Sequence, residues 1–190
     1  MPEFTNFGYD VVDAWAEKEP DRTALFWVNQ HGEEKRYSFS DMKRESDLAA
    51  RILHDRGISK GDRVFVMLPR IPEWWVLVVA LIKLGAVYTP APTLLTPHDI
   101  SYRLAIGGFA LVITDRENAQ KVQEAVREGA IKPKCMVVGG DVPGWISYPG
   151  NSGPVSSQPQ AEGSVPVVKT TSSDPLLIFF TSGTTGNPKM

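Results

Sequence analysis

Several things are scarce in this sequence, and each scarcity rules something out. It holds one cysteine, Cys135, in 190 residues, so it can build neither an internal disulfide nor a thiolate metal cage. A disulfide-framed secreted scaffold is excluded, and a reducing, cytoplasmic setting is the expectation that follows. Neither sign of charge is in excess. The 20 Lys and Arg face 22 Asp and Glu, for a formal net charge of −2, and a pI near 5.9 offers no basic field to a nucleic-acid backbone. No nucleic-acid partner is expected.

Long apolar runs are missing too. The longest, Trp74 to Ile82, is broken by Lys83 and falls short of the ~18 residues a membrane span needs, so it reads as a buried helix with the Trp74-Trp75 pair in the core. Met1 to Asn6 carry Glu3 and no basic stretch ahead of an apolar one, so neither a secretory signal nor a membrane span is expected. Histidine is rare and dispersed. His31, His54 and His98 have no Ser, Cys or acid at triad-like or metal-like spacing, which assigns them to turns and helix ends and leaves no metal site in this chain.

What is present is an ordinary globular balance, 42% hydrophobic and 22% charged, able to bury roughly 70% of the unfolded surface. Val11, Val12, Trp15 and Ala16 fall at helical spacing until Glu19-Pro20-Asp21 ends the pattern. Thr23–Val28 and Lys35–Phe39 flank the His31-Gly32 turn signal and predict an antiparallel hairpin. Ser40 is read as the cap of a helix over about 41–55, with Gly57 as its left-handed stop. The mixed charges from Asp41 to Asp47 read as its solvated face.

From Arg63 the text alternates. The apolar run Arg63–Leu68 precedes a helix opened by Pro72, and Val87–Pro90 precedes Thr96-Pro97-His98-Asp99, a cap, a first-turn proline and a capping-box acid. Ala110–Thr114, a helix over Asn118–Arg127, and Cys135–Val138, whose thiol reads as buried and inert, repeat the alternation. Short apolar strands separated by helices imply an α/β fold with a mostly parallel sheet flanked by helices. After Gly144 the pattern dissolves into Gly, Ser, Pro and Gln, a surface excursion, until Asp174–Phe180 reads as a strand buried on both faces. The expected organisation is an α/β subdomain over 1–145, a loop or linker over 146–173, and over 174–190 a strand and loop that begin a further subdomain.

That last loop carries the chemistry. Thr181-Ser182-Gly183-Thr184-Thr185-Gly186-Asn187-Pro188-Lys189 combines two glycines, four hydroxyl side chains and a lysine. Glycines let backbone amides approach phosphate oxygens, hydroxyls donate further hydrogen bonds without bulk, and lysine adds a compact positive charge. The spacing is not the G-x-x-x-x-G-K-[ST] of the P-loop NTPases, because only two residues separate Gly183 from Gly186 and Pro188 precedes Lys189. Ser/Thr/Gly strings are usually solvated loops, but a solvated linker would not follow an apolar strand and end in Pro-Lys.

This stretch resembles, at every position, the phosphate loop of the adenylate-forming enzymes, the AMP-dependent synthetases and ligases. The resemblance continues upstream through Gly57–Val64, Leu68-Pro69-Arg70-Ile71-Pro72-Glu73-Trp74-Trp75 and Leu84–Pro90, and the Leu-Pro-Arg-x-Pro-Glu-Trp-Trp string is similar to the medium-chain acyl-CoA synthetase branch. On the residues alone these upstream landmarks serve turns and packing.

The resemblance implies the N-terminal part of the large adenylate-forming domain and an acyl-CoA ligase that uses ATP, Mg²⁺ and coenzyme A to activate a fatty or aromatic carboxylic acid. It implies that Thr181, Ser182, Thr184 and Thr185 bind the β- and γ-phosphates, that Gly183 and Gly186 offer amides, and that Lys189 supplies charge, with Asn187 and Pro188 completing the loop. The family's Mg²⁺-holding glutamate, ribose-binding aspartate and catalytic lysine have no counterpart up to Met190, so no catalytic residue is assigned here. The chain reads as a fragment, inactive by itself, with a phosphate loop whose exit is left to fray. An enzyme that loads a carrier-protein thiol, and a non-catalytic truncated module, remain alternatives.

Overall fold

Apolar strands separated by helices become, in the computed structural model, a five-stranded parallel sheet flanked by helices, together with a separate two-stranded hairpin. The structure describes residues 5–148, 167–181 and 189–190. They fall into two compact units, one drawn from Met1–Lys60, Ile71–Ala86 and Pro159–Asp174, the other from Gly61–Arg70, Val87–Gln158 and Pro175–Met190.

The first unit opens with a helical stretch that is π-wound over Gly8–Asp13 and continues as α1 (Ala14–Lys18). An antiparallel hairpin follows, β1 (Thr23–Val28) and β2 (Glu34–Ser38), then α2 (Phe39–Asp55) and α3 (Pro72–Lys83). The cap of α2 is Ser38, not Ser40. The Ser38 hydroxyl accepts the Asp41 backbone N–H at 3.1 Å, and the Asp41 carboxylate accepts the Ser38 N–H at 3.0 Å. Ser38-x-x-Asp41 is the only one of the two registers that supplies an acid three residues on, and the reciprocal box satisfies two orphan donors rather than one. Gly57 ends the turn after α2 with φ +85°, as its position after the helix predicts.

The face of α2 that carries mixed charge is not simply solvated. Glu45 and Ser46 are buried, and Asp47 joins a ring of four charges. Lys83, fully buried at the end of α3, places its Nζ 2.7 Å from Asp13 Oδ1 and 2.5 Å from Asp47 Oδ1. Lys43 bridges the other oxygen of each acid at 3.2 Å. Two cations and two anions therefore neutralise one another, which is how a buried ammonium is tolerated. The lysine stem also fixes its neighbour, since a Cβ at Gly8 would lie 2.5 Å from Lys83 Cγ.

The second unit holds β3 (Arg63–Met67), β4 (Val87–Pro90), α4 (Pro97–Gly107), β5 (Leu111–Asp115), α5 (Ala119–Glu128), β6 (Lys134–Val138) and β7 (Ile146–Tyr148). The sheet order is β4-β3-β5-β6-β7, with every pair parallel. Val64, Phe65, Val66 and Met67 are all fully buried, which explains why this strand reads as a continuous apolar run rather than an alternation. Phe65, Val112 and Cys135 share one face by register and pack with Ile100, Leu104, Phe109, Val122 and Ala125. Phe65 and Phe109 meet edge to face at 5.2 Å. The Thr96/Asp99 capping box opens α4 as the sequence predicts.

Two expectations change near the sheet's margins. Ile146–Tyr148 lies where the apolar pattern has dissolved, yet it adds a fifth strand beside β6; three residues are too short to carry a period. The run Asp174–Phe180 is not buried on both faces. Only Leu177 bridges, in parallel, to Tyr88 of β4, while Leu176 and Phe179 are 45% and 61% exposed. The segment lies outside β4, and among the described residues no strand covers its other edge. Trp74 and Trp75, read as core, are half-buried and meet edge to face at 5.4 Å.

Candidate functional site

The candidate site is assembled from the outer segment upward. Tyr88 N–H donates to Leu176 O at 3.2 Å and Ile178 N–H donates to Tyr88 O at 3.0 Å, which fixes the 176–178 segment in parallel register on β4. Parallel pairing carries the chain out at the carboxyl end of the sheet, the end where open α/β sheets hold their ligands. Thr181 is the first residue of the loop to emerge there.

Thr181 and Lys189 pair across the loop as an antiparallel bridge. Thr181 N–H donates to Lys189 O at 2.8 Å, and Lys189 N–H donates to Thr181 O at 3.1 Å. The loop therefore has a closed neck. The frayed exit expected from the sequence is not what this structure shows, because two mutual backbone hydrogen bonds tie the exit to the entrance. Both residues are exposed, so the Lys189 ammonium stands at the surface, where an anionic ligand can reach it. The intervening Ser182, Gly183, Thr184, Thr185, Gly186, Asn187 and Pro188 lie outside the described residues.

The neck rests on a half-buried ring. Phe180, next to Thr181, packs against the apolar cluster of the second unit, and the Arg103 guanidinium of α4 lies 5.4 Å from its centroid. Arg103 is itself held, its Nη1 donating to Asp99 O at 3.0 Å. Hydrogen bonds from Thr96 keep the Asp99 carboxyl below the usual carboxylate range, so the acid stays charged as the helix cap requires.

The histidines sit apart from this place. His31 is in the hairpin turn, His54 near the end of α2 and His98 in the first turn of α4, all exposed. Cys135 is buried, and burial pushes its thiol up to about 11. Among the described residues no cluster of His, Cys, Asp or Glu is arranged to hold a metal ion, and no helix is long and apolar enough to cross a membrane. Sequence reasoning missed Lys83 and Arg103. The partners Asp13 and Asp47 of Lys83, and Phe180 beside Arg103, lie on other elements, and only the Asp99–Arg103 contact is local.

A parallel α/β sheet with a segment that leaves at its carboxyl end beside β4 defines an α/β class whose ligands are held at that end. The chain belongs to the AMP-binding enzyme family, whose profile matches residues 12–190. It is similar to the mitochondrial acyl-coenzyme A synthetase ACSM5 of Homo sapiens, with 36% identity over 100% of this chain and 33% of that protein. It is similar also to the mitochondrial acyl-coenzyme A synthetase ACSM4 of Mus musculus, with 38% identity and the same coverage. Among solved structures, an acyl-CoA synthetase of Brucella canis superposes with a TM-score of 0.77 at 27% identity, covering 98% of this chain and 32% of that one. The luciferase-like enzyme of the nonluminescent mealworm Zophobas morio shares the fold, with a TM-score of 0.78 at 21% identity over 100% of this chain and 43% of its own. The chain spans about a third of the length of the curated relatives it matches.

Proposed function

We propose that the polypeptide carrying this chain is an AMP-forming acyl-CoA ligase, and that residues 181–189 bind the polyphosphate of ATP. The closed neck of Thr181 and Lys189 at the carboxyl end of the sheet is the observation that carries the reading. The acyl-CoA synthetase names of the relatives support the acid and thiol substrates. In the first step a carboxylate oxygen attacks the α-phosphorus, the α–β bridging bond breaks, and pyrophosphate leaves. In the second the coenzyme A thiolate attacks the acyl carbon and AMP departs.

The barrier of the first step falls when the carboxylate is held in line and the charge on departing pyrophosphate is met by donors. Thr181, Ser182, Thr184 and Thr185 supply hydroxyls to the β- and γ-phosphates, Gly183 and Gly186 supply amides, and Lys189 supplies the positive charge. Asn187 and Pro188 shape the return to the neck. The loop has hydroxyl and ammonium groups but no carboxylate, so it suits a phosphate and not a hard divalent cation, and no step here runs through Mg²⁺. The acid is short-chain, medium-chain or aromatic. No catalytic residue is assigned within this chain, which we take to be inactive alone; the organisation expected from the sequence is revised, since 146–148 joins the sheet as β7 and 175–190 groups with it rather than opening a further subdomain. A cytoplasmic setting suits the single reduced thiol; the relatives' names place those proteins in mitochondria, and cell fractionation decides between the two.

The test is carboxylate-dependent ATP–pyrophosphate exchange on the longest native form of the protein, with acetate, butyrate, octanoate and benzoate. Exchange that requires one of these acids supports the reading. Exchange with none of them, on folded protein, overturns it in favour of a binding-only module. AMP release with transfer of the acyl group to coenzyme A but not to a carrier-protein thiol settles the acceptor. Lys189→Ala should slow exchange at saturating ATP, and an unchanged rate removes Lys189 from its role.

A further inference from the structure

We propose that Arg103 is a positioning residue for the phosphate loop, acting through the Phe180 ring to hold the Thr181–Lys189 neck closed. The inference rests on the reading of 181–189 as the ATP loop for its functional part, but the mechanical link stands on geometry. Arg103 is largely buried, its side chain 12% exposed. Its guanidinium Nη1 donates to the Asp99 carbonyl at 3.0 Å, with the Asp99 carboxylate at 3.9 Å. The face of the same guanidinium lies over the Phe180 ring, its Cζ 5.4 Å from the centroid. Asp99 in turn belongs to the capping box, accepting the Thr96 N–H at 3.1 Å and the Thr96 hydroxyl proton at 2.7 Å. A rigid helix start therefore leads, contact by contact, to the residue that precedes the neck.

The chain needs such an anchor because little else holds this stretch. The 176–178 segment makes a single bridge to β4, Phe179 is 61% exposed, and Thr181 is exposed. Phe180 is the side chain here that reaches the apolar cluster. A guanidinium over an aromatic face that is partly shielded from water is attracted to the ring quadrupole, and the planar fork of arginine does this better than an ammonium. The cation has no free reach to a ligand in this arrangement. It orders the ring, the ring orders Thr181, and the two backbone hydrogen bonds close.

The test reads the neck directly. Amide hydrogen exchange at Thr181 and Lys189 is compared between the wild type, Arg103→Met, Arg103→Lys, Phe180→Leu and the Arg103→Met/Phe180→Leu double variant. Arg103→Met should speed exchange at those two amides by ~3- to 30-fold, leaving β3 and β5 amides unchanged. Arg103→Lys should fall between Arg103→Met and the wild type. The double variant should be no worse than the worse single one, since both remove one contact. Phe180→Tyr, which keeps the ring, should restore the wild-type rate. Equal protection at Thr181 and Lys189 in all variants overturns the proposal, as do additive effects or a loss spread over the whole second unit.

In the longest native form, Arg103→Met should raise KM for ATP several-fold with KM for the acid unchanged. The two readings fail separately. If Lys189→Ala leaves ATP kinetics intact while Arg103→Met still opens the neck, the ATP-loop reading falls and the positioning role stands. If Lys189→Ala impairs exchange with pyrophosphate while Arg103→Met leaves neck protection unchanged, the positioning role falls alone.

Discussion

The two units of this chain solve the same problem of cohesion with different chemistry. The second is held by apolar contact, with Phe65, Val112, Ile100, Leu104 and Phe109 buried against one face of a parallel sheet. The first adds charges to an apolar interior of its own, in which Leu53, Leu77, Leu81 and Leu84 are fully buried. Its helices are joined by the Lys83, Asp13, Asp47 and Lys43 ring, and it also buries Glu45 and one oxygen of Glu73 that finds no hydrogen-bond partner. Apolar burial is tolerant of small changes in geometry, whereas a buried ring of charges depends on every member being present.

The comparison can be broken at its strongest point first. Phe65→Ala removes a fully buried ring and should cost about 3–5 kcal/mol, read from the urea midpoint of the second unit. Lys83→Met leaves Asp13 and Asp47 facing Lys43 alone and should cost about 3 kcal/mol. Replacing Lys83, Asp13 and Asp47 together by apolar residues should cost less than the single change, because the one charge that remains, on Lys43, has a side chain 39% exposed and stays solvated. A triple variant weaker than the single one would show that the ring contributes net stability beyond its own neutralisation.

Glu73 gives a smaller effect of opposite sign. Burial raises its carboxyl above the ordinary glutamate value near 4.5, Glu45 nearby adds to the rise, and Lys35 and the residue's own N–H work the other way. Below pH 4.5 the group is neutral folded and unfolded, so it costs nothing. As pH rises through 4.5 the unfolded chain ionises first, and folding then works against a buried charge until the pH passes the raised folded value, above which the penalty is constant. Glu73→Gln should therefore stabilise the first unit at pH 7 and leave it unchanged at pH 3.5, where the carboxyl is neutral in both states. Equal thermal shifts at both pH values would count against this account. The least effect concerns Cys135. With its thiol pushed up to about 11 by burial, it should react negligibly with iodoacetamide at pH 8 and rapidly once urea exposes it.

What was legible in the sequence was what is local. Thr96-Pro97-His98-Asp99 gave its helix start because the cap and its reciprocal acid are three residues apart. The strands at 63–67, 87–90, 111–115 and 134–138 followed from their composition. Ser38 was legible in principle, since Ser-x-x-Asp outranks a lone Ser40. Lys83 was not, because its partners lie 70 and 36 positions away. It looked like the end of an apolar helix and is fully buried. The run 174–180 shows the limit of composition from the other side, for an apolar segment reads the same at an edge as in the middle of a sheet, and only pairing distinguishes them. The loop motif pointed to phosphate chemistry, but the bond between its two ends and the arginine behind Phe180 depend on the fold.

The bridge from Tyr88 to Leu177 joins positions roughly ninety apart, a non-local contact of the kind that forms late in folding. A nascent chain that has emerged only as far as β7 already owns all five strands and the apolar cluster, but β4 still presents a bare edge. Such an edge is a template for the wrong partner, including the same strand of a neighbouring chain. The segment that leads to Thr181 covers part of that edge, through its single bridge, only once the chain beyond β7 has emerged.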